Sequence, residues 1–422
     1  MGYLRIALLG AWAAGLWLVL PTGPSWAQVA TEARPALREF VATVIEAHPA
    51  LSKARADIAA ARARARGQAM PLYKPELELG YENALDDTAA AGLSQTFDVV
   101  GKRGSRADVA TAEVVAAEAR YRIARKTVIA NTLTALSEYR TLGARVAIAE
   151  TRVRLAREFL SLAERRNRAG DLPLAELLTA RLNLSEAKAA ESAAQIDRAM
   201  AEQGLLEEIG NVSLVLPELR EEWPDAPAPL ENVSLETLPE LVLGRAQTRI
   251  ARSRIDVAQK NRVLDPTFGF VVGDQSAPAD SGGRESATLF GLSLRIPLPV
   301  RNDFSAEVDA AGADWVASEQ DYYDLRRRVD ARLTTSHRRL LTALEAWKGW
   351  TAESAATLEE QRAVLQKLWD VGEINAVDYI IQLNQTFATE SAGVDLRGRL
   401  WAAWFDWLDA SGSIGEWVEG RK

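Results

Sequence analysis

Cysteine is absent from the 422 residues, and histidine and methionine are scarce, at 2 and 3. Without thiols there is no disulfide framework, no Cys nucleophile and no thiolate metal site, and two His are too few for an imidazole ligand cluster. A large excess of basic charge is also missing: 50 Lys and Arg against 58 Asp and Glu leave −8, so nothing in the balance attracts nucleic acid. No Ser or Cys elbow with a neighbouring base is recognisable, which argues against a secreted hydrolase and, more broadly, against an enzyme. Gly101-Lys102-Arg103-Gly104 lacks the spacing of a phosphate-binding loop. Beyond the first 27 residues no window of 18 apolar residues exists, so no helical membrane span is expected there. Cofactors and metals are not called for by any of these features.

Proline and glycine are missing from long tracts. No Pro lies between Pro75 and Pro173 and none follows Pro299, while Gly143 is the only Gly from Ser105 to Ala169. These tracts are rich in Ala, Glu, Arg and Leu, all strong helix formers, and at about 1.5 Å per residue some 60 helical residues reach roughly 90 Å. Such rods are too long for a globular core.

The first 27 residues have the layout of a secretory signal. Arg5 gives the positive end, Ile6 to Leu20 is apolar, and small residues Ser25 and Ala27 frame a cleavage site. The apolar stretch is shorter than the roughly 20 residues needed to span a bilayer. The remainder then falls into a first repeat over 28–210, a Pro-rich linker over 211–238, a second repeat over 239–411 and a tail over 412–422. His48-Pro49-Ala50-Leu51 with Arg55 returns as Leu238-Pro239-Glu240-Leu241 with Arg245, and Lys74-Pro75-Glu76 as Asp265-Pro266-Thr267. Ala169-Gly170-Asp171-Leu172 with Glu176 returns as Val371-Gly372-Glu373-Ile374 with Asp378.

Each repeat reads as helix, short strand, loop, short strand, very long helix, Gly turn, long helix. The strands are expected at Glu76–Tyr81, Ser94–Val99, Thr267–Val272 and Phe290–Ile296, with polar loops over Asn83–Gly92 and Gly273–Ser286. Their alternation fits one face of a soluble sheet or a membrane barrel with apolar residues outward, and the signal segment favours the barrel. Four strands cannot close a barrel, because the smallest need about eight. Open edges in lipid leave backbone groups unpaired, so the subunits have to share one sheet.

These residues resemble the TolC family of outer-membrane efflux ducts, over about residues 36 to 411. The resemblance is carried by the His48-Pro49-Ala50-Leu51 start, by Gln95 to Gly104, by Leu292 to Pro299 and by the two Gly turns. The stretch through Lys102-Arg103 is similar to the heavy-metal branch. The resemblance implies a mainly α fold with a small β part, assembled as a homotrimer. Its twelve-stranded outer-membrane barrel continues as a helical barrel through the periplasm, the linker lying at the equator. It also implies a passive exit duct working with a periplasmic adaptor (membrane fusion protein) and an inner-membrane pump of RND type. The competing reading is a periplasmic coiled-coil scaffold or adaptor without a barrel.

The family's adaptor-docking periplasmic tips correspond to Arg168, Gly170, Asp171, Trp369, Gly372 and Asp378. Asp378 matches an Asp facing the pore constriction, but the next family Asp, one turn on, falls at Ile381. Lys102, Arg103 and Arg106 stand at a helix start, where the macrodipole disfavours cations and something must compensate. Lipid headgroups at the inner face of the outer membrane are one candidate compensation, with Arg301 in the equivalent place of the second repeat, and a solvated basic turn is the other reading. Trp401, Trp404, Phe405 and Leu408 share a helical face and read as core. His48 and His337 read as structural.

Overall fold

The computed structural model describes residues 35–83, 86–210, 215–219, 223, 226–278, 282–299 and 302–420. The signal segment 1–27 and Arg301 lie outside the described residues. The chain begins with α1 (Pro35–Ala47) and α2 (Pro49–Gln68), passes through strands β1 (Glu76–Asn83) and β2 (Asp87–Thr96), and enters α3 (Lys102–Ala169) and α4 (Leu174–Ile209). After two 3-10 turns at Leu230–Asn232 and Leu235–Thr237 the plan returns: α5 (Pro239–Asn261), β3 (Thr267–Pro278), β4 (Arg284–Arg295), α6 (Ser305–Glu353), α7 (Ala355–Val371), α8 (Ala376–Ala410) and α9 (Ile414–Glu419). With 68 residues, α3 is about 100 Å long. None of the described helices is long and apolar enough to cross a membrane.

Local chemistry starts and stops these rods. His48 caps α2 by accepting the Ala50 N–H on Nδ1 at 3.2 Å, with Pro49 in the first turn where its missing N–H costs nothing. Small side chains let α3 and α5 approach closely: Ala112, Ala116 and Ala246 are buried together with Ile250.

The four strands form one antiparallel sheet in the order β1-β2-β3-β4. The hairpins are longer than the alternation pattern gives. Thr88 to Ala91, expected in a loop, pair with Glu82 to Leu79, and Gly273 to Pro278 pair with Leu289 to Arg284. Backbone pairing with a neighbouring strand carries these residues, so their own lack of alternation does not end the ladder. At the other end β2 stops at Thr96, and the Phe97 N–H turns to the Pro266 carbonyl at 3.0 Å.

The long helix expected in the second repeat is interrupted at Ser354, giving α6 and α7; no proline or glycine accounts for the break. The described residues of the linker pack on the helices. Trp223 packs on Trp401 with ring centroids 4.0 Å apart, and Leu216, Leu219, Leu230, Val233 and Leu235 rest on the main core. The tail is docked as well: Ile414, Trp417 and Val418 of α9 are buried in the same cluster as Trp401, Trp404, Phe405 and Leu408. His337 sits edge-on to Trp407 at 5.0 Å.

Candidate functional site

Three regions carry unusual chemistry: the sheet, the junction beneath it and the two hairpin tips. In the sheet, the register places Leu77, Leu79 and Tyr81 of β1, Leu93 of β2, Phe268, Phe270 and Val272 of β3, and Phe290, Leu292 and Leu294 of β4 on one face. This face is bare, with Leu292 89% and Phe290 and Leu79 each 74% exposed. The opposite face carries Glu76, Glu78, Ser94, Thr267, Ser293 and Arg295. A continuous apolar face of this kind is not stable against water, while strands of 8 to 12 residues match the roughly 9–11 that cross a bilayer. The outer edges of β1 and β4 have no partner strand among the described residues.

At the junction, two carboxylates answer the cations at the start of α3. Asp98 accepts the backbone N–H groups of Lys102 and Arg103, both at 2.8 Å, and so places an anion at the positive end of the helix. Burial pushes its carboxyl up, but the backbone donors of Arg103, Lys102 and Gly101 outweigh that and hold it below the ordinary value. Asp265, from the second repeat, receives the Lys102 ammonium at 2.7 Å and the Tyr73 hydroxyl at 2.6 Å. Burial and this donated bond push the Tyr73 phenol up to about 12. Lys102 is therefore corrected from a headgroup-facing residue to a buried one, with side chains 7% and 2% exposed across the pair. Its stretch is occupied by helix capping and this ion pair, and it assigns no cargo. Arg103 remains exposed and Arg106 half-buried.

At the tips, α3 ends on Gly170 with φ 86° and α7 on Gly372 with φ 79°, the left-handed conformation glycine takes without strain. In both, the next N–H reaches back over the turn, Asp171 to the Arg166 carbonyl and Glu373 to the Leu368 carbonyl, each at 2.9 Å. Asp378 and Asn375 cap α8 reciprocally: the Asp378 N–H donates to Asn375 Oδ1 at 2.8 Å, and Asn375 Nδ2 donates to Asp378 Oδ2 at 2.7 Å.

The structure brings the two tips together through Arg166, which the sequence pattern does not single out, and Glu176, which marks the repeat. Arg166 donates to the carbonyls of Trp369 and Asp370 at 3.0 and 3.3 Å, a cation at a helix C-terminus, while its guanidinium lies 4.8 Å from the Trp369 ring centre. Glu176 accepts the Ala376 N–H at 3.4 Å, an anion at a helix N-terminus. Trp369, expected at a docking surface, is instead 1% exposed and packs against Phe159 and Tyr379 with centroids 4.5 and 5.3 Å away. Burial, then repulsion from Asp370 and Glu158, pushes the Tyr379 phenol up to about 12. Arg168, Gly170, Asp171, Gly372 and Asp378 are exposed, and so are Leu174 and Val371 beside them. Among the described residues no group of three His, Asp or Glu is placed to hold a metal ion.

Residues 41–211, which contain the capped start of α2, the first hairpin and the first tip, match the family described as outer membrane efflux protein. No curated protein sequence matches the chain. Solved structures do match nearly its whole length. A membrane protein from Pseudomonas aeruginosa shares 19% identity at a TM-score of 0.74, over 92% of this chain and 95% of that one. The CmeC outer membrane channel of Campylobacter jejuni shares 15% at 0.76, over 92% and 90%. The open state of the MtrE outer membrane channel of Neisseria gonorrhoeae shares 17% at 0.71, over 90% of each chain. At these identities the likeness is one of fold, and it covers both halves of the chain.

Proposed function

We propose that this protein is the outer-membrane exit duct of a tripartite efflux system. The observation that carries it is the four-stranded sheet, apolar and bare on one face, polar on the other and open at both edges, standing at one end of the helical rods. Three copies close the edges into a shared barrel of about twelve strands, and the helices continue it through the periplasm. The duct conducts passively and performs no chemistry. Its partners are a periplasmic adaptor and an inner-membrane pump, of the RND type that the family resemblance implies. The division into repeats over 28–210 and 239–411 belongs to the same proposal. Arg103 and Arg106, at the base of the sheet, are assigned to the lipid headgroups, with Arg301 as their counterpart in the second repeat.

The exposed tip residues Arg168, Gly170, Asp171, Gly372 and Asp378 are assigned to adaptor docking, and Asp378 with Ile381 to the narrow end of the lumen. A scaffold without a barrel leaves the bare apolar face unexplained.

Light scattering of the detergent-solubilised protein is expected to give about three chains per particle, because each chain supplies four strands and unpaired edges do not persist in lipid. A monomer overturns the duct. At the tip, Gly372→Val forces a β-branched residue to φ near 79°, at a cost of about 1–3 kcal/mol. The expected result is a trimer that still reaches the outer membrane but fails to co-purify with its adaptor. Unchanged adaptor binding would reduce the tip to an ordinary hairpin turn.

A further inference from the structure

The helices that meet the strands form a curved wall. α2 leads into β1, β2 into α3, α5 into β3 and β4 into α6. α2 packs on α3, α3 on α5 and α5 on α6, while among the described residues no packed interface joins α6 back to α2. All four nevertheless line one groove of about 860 Å³, which is therefore the hollow side of the wall. On α5 the groove takes Gln247, Ala251 and Arg254. Arg245, Arg249 and Arg252, on the opposite face of that helix, line a smaller cleft of about 520 Å³ shared with α6 alone, on the bulging side.

The floor of the hollow side is made of small side chains, with Ala61, Ala116, Ala117 and Ala251 buried. Charges of both signs border it. Arg64, Arg120 and Arg254 line the groove with Glu113, Asp314 and Asp321, and Asp57 adds a fourth acid. They lie about one to five turns below the helix ends that meet the sheet. Two solvent-open pairs engage part of this charge: Arg254 stands 3.8 Å from Glu113, and Lys53 3.1 Å from Asp57. Exposed pairs of this kind contribute little to stability, so stability does not account for three arginines here.

We propose that the hollow side lines the upper lumen and that Arg64, Arg120 and Arg254 balance its acids, so that the duct passes anionic cargo, carboxylates and sulfonates among it, as readily as cationic cargo. This rests on the exit-duct reading and deepens it by naming the charge class of the cargo. Three copies closed into a ring turn their hollow sides inward. The acids alone would give the lumen a field of one sign, which repels like-charged solutes over a Debye length of about 10 Å. Guanidiniums at the same levels cancel that field.

The absence of native Cys gives two clean tests. In intact cells, Gln247→Cys is expected to react with a maleimide-polyethylene glycol too large for general porins, which reaches it through the barrel, while Arg252→Cys reacts only after the outer membrane is permeabilised. Labelling of Arg252→Cys from outside, or none of Gln247→Cys, overturns the lumenal assignment. The second test reads the field. In the purified Gln247→Cys protein, the ratio of reaction rates with a trimethylammonium-bearing and a sulfonate-bearing methanethiosulfonate should be close to that of free 2-mercaptoethanol. Adding Arg64→Gln/Arg120→Gln/Arg254→Gln should shift the ratio about tenfold toward the cationic reagent at low salt and much less at high salt. Asp314→Asn/Asp321→Asn should shift it the other way. A parent ratio already tenfold toward the cation, or one that the triple variant leaves unchanged, overturns the charge balance and leaves the duct standing. A monomeric particle by light scattering defeats the duct reading itself.

Discussion

Replacing Asp265 with Ala is expected to destabilise the protein by about 3–5 kcal/mol, because it strands a buried ammonium. Lys102 has no other acceptor at its Nζ among the described residues, and Tyr73 loses the acceptor of its hydroxyl at the same time. The pair also joins the two halves of the chain, since Lys102 opens α3 and Asp265 stands just before β3. Loss of Asp265 should therefore loosen the seat of the whole sheet. The measurement is the thermal unfolding midpoint of the detergent-solubilised protein, together with its yield in the outer membrane. A companion variant tests the cause. Lys102→Met/Asp265→Leu removes both charges and leaves no buried ion, so it should recover most of the loss, as apolar replacements of buried pairs often do. If Asp265→Ala alone melts with the wild type, the pair is ornamental and the sheet is seated by the strands themselves.

How much of this was legible beforehand follows from the range over which each feature is determined. The rods were legible because helix propensity and the absence of Pro and Gly act within a few residues of one another. The tip glycines were legible for the same reason, since a positive φ is a local demand met by one residue type. The sheet was found but cut short: Thr88 to Ala91 have no alternation of their own and are strand because Leu79 to Glu82 stand opposite. Lys102 was misplaced because its partner lies 163 residues away, and a cation at a helix start reads as exposed until Asp265 is set against it. The docking of the linker was hidden for a similar reason. Its composition is that of a tether, and only the fold shows Trp223 lying on Trp401.

Trp369 illustrates the same limit and sets the second large expectation. In sequence it sits three residues before a turn glycine and reads as a surface aromatic. In the fold it is the centre of a closed group in which Phe159 from the first repeat and Tyr379 from α8 flank its ring, and Arg166 holds its carbonyl. Trp369→Ala removes the largest side chain of that group and should destabilise the tip by about 3–5 kcal/mol. The loss should stay local, because the tip cluster is separate from the main core that holds α1, α9 and the linker. The expected result is rapid hydrogen exchange and proteolytic nicking confined to residues around 159–180 and 365–387, with the proposed trimer still assembled and in the membrane. Trp369→Phe keeps an aromatic ring beside Phe159 and Tyr379. Because the indole N–H makes no hydrogen bond in the fold, this variant should lose much less. The tip would then tolerate the change of ring and not its removal. If Trp369→Ala instead dissolves the trimer, the two clusters are one cooperative unit, and the tips cannot open to an adaptor without loosening the duct above them.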